Sequence, residues 1–437
     1  MSNSSLDTSL PYSLHQFVRS ASHADFLNTL KNKEKLLIIQ DLDGVCMELK
    51  RDPKQRVMDS EYIRAVHTMA GEFYVLTNGE HVGSRGVNAI VDAAFAHQSS
   101  GYAAQQQLYL PGLAAGGVQW QNARGELQHP GVSQTEMDFL QSVPEIMTSC
   151  LTTALSTDPF NLNADQIASI LDVIVLDNLA SPTLNIGSLH DDFAGNYPRM
   201  QLLAEQLMEL LLQKAREAGL QDSFFVHLAP NLGIDRSSEQ TGKEKLKPAQ
   251  GDDMGTTDFQ FMLRGAVKEA GVLVLLNRYY FAQCGEYPLG ADFSVRTAPR
   301  THDAMLSLAT DAFDPALMPA IVGVGDTLTS VAEKPAESSE SAYARGGSDR
   351  GFLSLVQQLG QAFSSDNAVV WVDSSGGELN RPGISPPPQE HISSIDLNSL
   401  QGITDPSDLL QLNVIFPQGY QQYTDFFIAL AAARQKS

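Results

Sequence analysis

The feature that most narrows the possible folds is an apolar run, Leu36-Leu37-Ile38-Ile39-Gln40, that stops abruptly at Asp41-Leu42-Asp43-Gly44. A short stretch without polar alternation is the pattern of a strand covered on both faces, as in a parallel sheet flanked by helices. The acidic residues then fall at the carboxyl end of that strand, where ligands of open α/β sheets bind. Asp41 and Asp43 flank a single residue, so in extended geometry their carboxylates point to one face. Gly44 lets the backbone turn sharply beside a ligand.

Three more apolar runs share this character: FYVLTNG (Phe73 to Gly79), IVGVGDTLTS (Ile321 to Ser330) and AVVWVDSS (Ala368 to Ser375). Before the first of them, EYIRAVHTMA carries Tyr62, Val66 and Met69 at helical spacing. Strand, helix, strand with polar strand ends predicts an α/β fold built on a doubly wound parallel sheet. About 240 residues separate FYVLTNG from IVGVGDTLTS, far too many for one crossover, so an inserted domain is expected.

QLYLPGLAAGGVQWQNARGELQHPG reads as a strand and a glycine-rich hairpin still within the core. From Val132 to Phe293, amphipathic helices such as MQLLAEQLMELLLQKAREAGL alternate with strands such as DVIVLDN and SFFVHLAPN. The expected division is a helical lead-in at 1–34, core at 35–131, a large α/β cap at 132–293, and a second core part with a C-terminal tail at 294–437. SSEQTGKEKLKPAQGDD and EKPAESSESAYARGGSD read as exposed loops, and NRPGISPPPQEH as a surface linker before a last helix, YTDFFIALAAARQ.

Hydrolysis of a phosphate monoester needs a nucleophile, a proton donor, a metal and a cation, because catalysis there is mostly positioning and charge neutralisation. Asp41 can attack phosphorus while Asp43 protonates the leaving oxygen and later activates water. The hydroxyl of Thr77, with the amides of Asn78 and Gly79, can cradle phosphoryl oxygens. Asp326 follows its own apolar strand and would converge on the same sheet edge, offering the hard oxygen that magnesium prefers. Each motif alone is also a common turn, but DxD, T and GD in this order, each after a strand, are jointly far more specific.

This order resembles that of the haloacid-dehalogenase phosphatases, with DxDG after the first strand, Thr or Ser after the second, a downstream Lys, and GD. The resemblance implies an aspartyl-phosphate intermediate on Asp41 and Mg2+ held by Asp41, Asp326 and the backbone carbonyl of Asp43. The pattern departs at Val45, where many members carry Thr, and at Ser330, where GDxxTD or GDxxND members carry another acid. Asp349 in RGGSDRGF could substitute for that acid or could cap a helix. The lysine is expected at Lys268, opening an apolar helical stretch, with Arg296 as the alternative cation. GDDMGTTD (Gly251 to Asp258) also looks like a metal motif of trehalose-phosphate phosphatases, but the polar KEKLKPAQ before it supplies no buried strand.

Longer strings, among them LLIIQDLDGVCMEL, YVLTNGEHVGSRGV, LYLPGLAAGGVQW, GTTDFQFMLRG and GGSDRGFL, resemble the cyanobacterial glucosylglycerol-phosphate phosphatases, or salt-tolerance phosphatases. That resemblance implies hydrolysis of 2-O-glucosylglycerol 3-phosphate to the compatible solute glucosylglycerol during salt acclimation, alongside the synthase that makes the phosphate. A sucrose- or trehalose-phosphate phosphatase, and a non-catalytic sugar-phosphate sensor, remain alternatives. A sugar site combines hydrogen-bonding groups with an apolar or aromatic wall. NLASPTLN, which contains Asn185, HLAPN, and NRYY, which contains Arg278, have that mixture, and EHVGSRG adds His81 and Arg85 near the phosphate.

Charge decides what else such a chain can bind. With 29 basic and 51 acidic residues and a net charge of −22, it opposes nucleic acid and anionic membranes, and an anionic substrate needs a local cation or metal. Three cysteines (Cys46, Cys150, Cys284) are too few and scattered for a disulfide framework. With neither a secretory h-region nor about 18 unbroken apolar residues, a cytoplasmic enzyme is expected.

Overall fold

The computed structural model describes residues 13–193, 195–234, 243–251, 253–332, 343–386 and 393–435. It opens with α1 (His23–Lys31), β1 (Leu36–Gln40), α2 (Ser60–Thr68), β2 (Phe73–Leu76), α3 (Val87–Ala94), α4 (Tyr102–Gln105), β3 (Gly112–Ala114), β4 (Gln119–Gln121) and β5 (Leu127–Gln128). There follow α5 (Gln134–Leu155), α6 (Ala164–Ile174), β6 (Val175–Leu176), β7 (Thr183–Asn185), α7 (Tyr197–Glu217), β8 (Phe224–Ala229), β9 (Asn231–Ile234), β10 (Glu244–Leu246) and β11 (Asp258–Leu263). The chain closes with α8 (Lys268–Cys284), α9 (His302–Ala312), β12 (Ala320–Gly325), β13 (Thr329–Ala332), β14 (Tyr343–Gly346), α10 (Arg350–Phe363), β15 (Ala368–Val372), β16 (Val414–Phe416) and α11 (Tyr420–Arg434).

The main sheet runs β16-β15-β12-β1-β2-β3-β4-β5. It is parallel from β16 to β3, and β4 and β5 pair antiparallel at its edge. Central β1 explains its own sequence. Leu36 and Ile38 join the apolar cluster that includes Tyr62 of α2 and Phe427 of α11, while Leu37 and Ile39 join the cluster of Leu275 in α8 and Phe352 in α10. A strand covered on both faces needs apolar residues on both, and each such side chain contributes about 1.5–3 kcal/mol on burial.

Between β5 and β12 the chain builds a second, antiparallel sheet, β6-β7-β11-β8. Helices α5 and α6 start with complete capping boxes, Ser133 with Glu136 and Asn163 with Gln166. Leu140, Val143, Met147, Leu151 and Leu155 give α5 one buried face at helical spacing. DVIVLDN, expected as a strand, is helix through Ile174 and strand only at Val175–Leu176. The buried stripe Ile167, Leu171, Ile174 outweighs the β-branched composition of that segment.

Helix α8 corrects the expected cap limit at residue 293. It packs on α10, β2 and β3 of the core, and a Cβ on Gly271 would lie 2.5 Å from Leu76. We therefore place the return to the core at the end of β11. Among the described residues no helix is long and apolar enough to cross a membrane.

Candidate active site

The parallel sheet delivers two carboxylates to one edge, and a helix start supplies a third. Asp41 follows β1 and its amide donates to the Val324 carbonyl at 2.9 Å, so it lies beside Asp326, which follows β12. Asp349 sits just ahead of α10. All three are buried, and an oxygen from each lies within 4.8 Å of the others.

Lys268, the first residue of α8, puts its Nζ 2.7 Å from Asp41 Oδ2 and 2.7 Å from Asp349 Oδ1. The other Asp349 oxygen accepts the backbone amides of Asp326 and Thr327, each at 2.9 Å. Asp349 occupies the N-cap position of α10, yet its side chain caps nothing. Both of its oxygens are committed to the lysine and to the loop carrying Asp326, which corrects the reading of this residue as a helix cap.

Three acids facing one ammonium leave the cluster short of positive charge. Burial raises Asp41, to about 7, with Lys268 opposing the rise and Asp349 adding to it. Burial, then Asp349 and Asp41, push Asp326 well above the usual carboxylate range. Burial works against the Lys268 charge, but Asp349 and Asp41 outweigh it and keep the lysine protonated.

A second cation fits this cluster. Asp326 Oδ2 is buried without a hydrogen-bond partner, and a Cβ at residue 44 would come within 2.4 Å of it. Glycine, at φ +76°, keeps that space open. A donor set of carboxylate oxygens, with neither nitrogen nor sulfur, suits a hard divalent ion. Trp371 steadies the loop by donating from Nε1 to the Asp326 carbonyl at 2.7 Å.

Asp43 lies 2.9 Å from Arg56 Nε, an ion pair whose atoms meet without hydrogen-bond alignment. Thr77 is buried after β2, and its Oγ1 accepts the Gly79 amide at 3.2 Å. Asn78 Nδ2 is 3.2 Å from the His227 ring of β8. His227 in turn contacts Glu244 at 2.7 Å; burial alone would lower its pKa, but Glu244 outweighs burial and raises it.

The second sheet supplies the facing wall: Asn178, Thr183, Asn185, Asp258 and Gln260 line the cleft, with Arg85 and Arg381 at its sides. Asn185 Nδ2 donates to Asp258 Oδ1 at 2.8 Å, and Thr257 Oγ1 donates to Asp258 Oδ2 at 2.7 Å. Buried polar atoms ordinarily have partners. Among the described residues ten side-chain atoms do not, and six of them are on cleft-lining residues: Asp43 Oδ1, Arg56 Nε, Arg85 Nε, Gln260 Oε1, Asp326 Oδ2 and Arg381 Nε. Asp43 Oδ1 and Arg56 Nε face each other across their ion pair, and the other four leave donors and acceptors open where a polar ligand would sit.

Most residues proposed from sequence converge here. Asp41, Asp43, Thr77, Asn78, Gly79, Arg85, Asn185, Lys268 and Asp326 line the cleft, and Asp349 stands directly behind Lys268. Three others are corrections. His81 is fully buried, its Nε2 3.2 Å from the Gly112 carbonyl, and burial pushes it down to about 4. Arg278 stacks at 3.8 Å over Trp120, because α8 belongs to the core. Arg296 pairs with Glu136 at 2.5 Å and donates to the Arg264 carbonyl, tying the start of α5 to the end of β11.

In the GDDMGTTD segment, Asp253 pairs with Lys247 at 2.7 Å and Asp252 lies outside the described residues. Its last residue, Asp258, does reach the cleft, from the cap side. Sequence reasoning missed Asp258, Gln260, Arg56 and Arg381. The alternation of Asp258 and Gln260 with buried Phe259 and Phe261 was a usable signal. Arg56 and Arg381 stand in irregular segments and offered none.

The family described as glucosylglycerol-phosphate phosphatase matches residues 35–431. A glucosylglycerol-phosphate phosphatase of Synechocystis sp. is 48% identical, over 97% of this chain and 98% of its own length. Two solved trehalose-6-phosphate phosphatases, from C. albicans and Aspergillus fumigatus, each align over 95% of this chain and 99% of theirs. Their identities are 10% and 9% and their TM-scores 0.42 and 0.36, too low to carry any conclusion.

Proposed function

The chain belongs to the glucosylglycerol-phosphate phosphatase family, and from that premise we propose how its cleft does the work. It is a phosphoric monoester hydrolase that releases phosphate from 2-O-glucosylglycerol 3-phosphate and yields glucosylglycerol. Asp41 attacks phosphorus through the oxygen held beside Lys268. The ammonium neutralises the approaching phosphoryl group, whose repulsion by the carboxylate would otherwise oppose attack. Thr77, whose Oγ1 is steadied by the Gly79 amide, and the amide of Asn78 orient the phosphoryl oxygens.

Asp43 delivers a proton to the departing glycerol oxygen, leaving an aspartyl phosphate on Asp41, and as a carboxylate it then takes a proton from the water that hydrolyses it. Mg2+ would be held by Asp41, Asp326 and the Asp43 carbonyl, with Asp349 behind them. When bound, it supplies the positive charge that three acids and one lysine lack. The cap residues Asn185, Asp258 and Gln260 bind hydroxyls of the glucosyl group. A cytoplasmic setting and work in sequence with the synthase that makes the phosphate ester complete the reading.

The observation that carries this mechanism is the pairing of Lys268 with Asp41 beside an Asp326 oxygen that has no partner. Phosphate release tests it, measured on glucosylglycerol phosphate, sucrose phosphate, trehalose phosphate and an aryl phosphate, with magnesium or EDTA. Magnesium-dependent preference for the first substrate, lost in Asp41→Asn, is expected. Activity that survives the substitution would remove Asp41 as nucleophile, and preference for another sugar phosphate would change the substrate.

A further inference from the structure

Glu80 is buried, and the mechanism above does not use it. It follows Thr77-Asn78-Gly79 in the phosphate-binding loop, yet its carboxylate is spent on the opposite lobe. Oε1 accepts the amides of Ala180 and Ser181 at 2.6 and 2.7 Å and the Ser181 hydroxyl at 3.0 Å. Oε2 accepts the Leu179 amide at 2.9 Å and Gln119 Nε2 at 3.1 Å. Five donors on one side chain exceed what a carboxylate in a surface turn collects, and three of them are consecutive backbone amides of one cap loop.

That loop joins β6 to β7 and carries Asn178 and Thr183 into the cleft. Inside it, Asn178 Nδ2 donates to the Ser181 carbonyl at 3.2 Å, and Thr183 Oγ1 donates to the same carbonyl at 2.7 Å. Ser181, held by Glu80 through its amide and its hydroxyl, is thus also the residue whose carbonyl accepts from both cleft-facing side chains. Neighbouring residues of the core loop repeat the attachment more weakly, with Ser84 and Arg85 each 3.3 Å from Asp177.

We propose that Glu80 is a positioning residue that locks the 178–183 loop of the cap in register with the phosphate-binding loop, so that sugar selectivity depends on it while phosphoryl transfer does not. The proposal rests on the phosphatase reading for its kinetic test. A charge-assisted carboxylate–amide array is rigid because each amide fixes the carboxylate for the next, and its loss leaves consecutive buried N–H groups unpaired. Water entering to satisfy them would let the loop drift by fractions of an ångström, enough to misplace hydroxyl contacts without moving Asp41.

Kinetics of Glu80→Gln and of the milder Ser181→Ala, which removes one donor, test this against wild type. For glucosylglycerol phosphate, KM is expected to rise at least about 10-fold in Glu80→Gln and about 2- to 3-fold in Ser181→Ala. With p-nitrophenyl phosphate, which has no sugar hydroxyls for the cap groups to bind, kcat/KM should stay within about 3-fold for both variants. Equal losses on the two substrates, or no change on either, would overturn the proposal.

Amide hydrogen exchange at residues 179–181 of the substrate-free protein gives a second readout that is independent of substrate identity. Exchange accelerated at least about 10-fold in Glu80→Gln, with β1 and β12 amides unchanged, is expected. Unchanged exchange at 179–181 defeats the lock even if the protein turns out to act on another phosphate.

Discussion

The two walls of the cleft are built from opposite materials. On the core side, buried ionisable groups crowd together: Asp41, Asp326 and Asp349 with Lys268 bridging two of them. On the cap side, neutral groups predominate, Asn178, Thr183, Asn185 and Gln260, and the one acid, Asp258, is held by Asn185 and Thr257. Fixed charge acts strongly on a reacting phosphoryl group but distinguishes poorly between neutral sugars. Oriented amides and hydroxyls do the reverse, because they reject a ligand that leaves them unpaired. On the mechanism proposed, that contrast divides the labour, with chemistry below and selectivity above.

The largest test of the contrast is Asp41→Asn. Phosphate release should fall by at least about 10³-fold on every substrate of the panel, since the proposed nucleophile would serve all of them. A loss confined to sugar phosphates would place the chemistry elsewhere.

Next is Lys268→Met, expected to lower kcat by about 10²- to 10³-fold on sugar and aryl phosphates alike. It also leaves Asp41 and Asp349 buried without their shared cation, so urea unfolding should show about 3–5 kcal/mol less stability. Magnesium should recover part of that stability, because a divalent ion supplies the missing charge. An unaltered unfolding midpoint would mean that the acids are not held by this lysine.

Across the cleft, Gln260→Ala should raise KM for glucosylglycerol phosphate by about 5- to 10-fold, the value of one hydrogen bond to a hydroxyl. Turnover of the aryl phosphate should hold constant. If both substrates suffered equally, the cap wall would share in the chemistry and the contrast would break.

The smallest effect separates two kinds of carboxylate within the core itself. Whereas Asp326 is raised by burial among acids, Asp405 is held well below the usual range by the Arg345 fork at 2.8 Å, against burial, with help from Ser330 and Ser407. A depressed folded pKa stabilises fully above the unfolded aspartate value, about 3.9, and that contribution is lost as pH falls below it. Wild type should therefore lose more of its melting temperature than Arg345→Met between pH 6 and pH 3. Parallel melting curves across that range would show that the pair adds nothing.

How much of this was legible beforehand depended on how local the cause was. The strand at Leu36–Gln40 declared itself because burial on both faces leaves an uninterrupted apolar run. Lys268 was proposed from the order in which the phosphatases this chain resembles supply their lysine, at the start of an apolar helical stretch after the cap strand. Arg278, expected in the sugar site, stands on the same helix, and its direction depends on which lobe α8 packs against. His81 and Arg85 come from one short string, and only Arg85 lines the cleft. No local property of a loop distinguishes a side chain turned into the core from one turned into a cavity.

Sequence alone determined the main strands of the core and their order along the chain, the acids at their ends and the family, because these rest on patterns a few residues long and on shared strings. Tertiary structure decided which cation meets which acid, that Asp349 braces Lys268 instead of capping α10, and that Glu80 reaches across to residues 179–181. Those contacts join residues from about 80 to more than 200 positions apart. Their partners are selected by the packing of two sheets and by the cost of leaving buried polar groups unpaired, quantities that exist only once the chain has closed on itself.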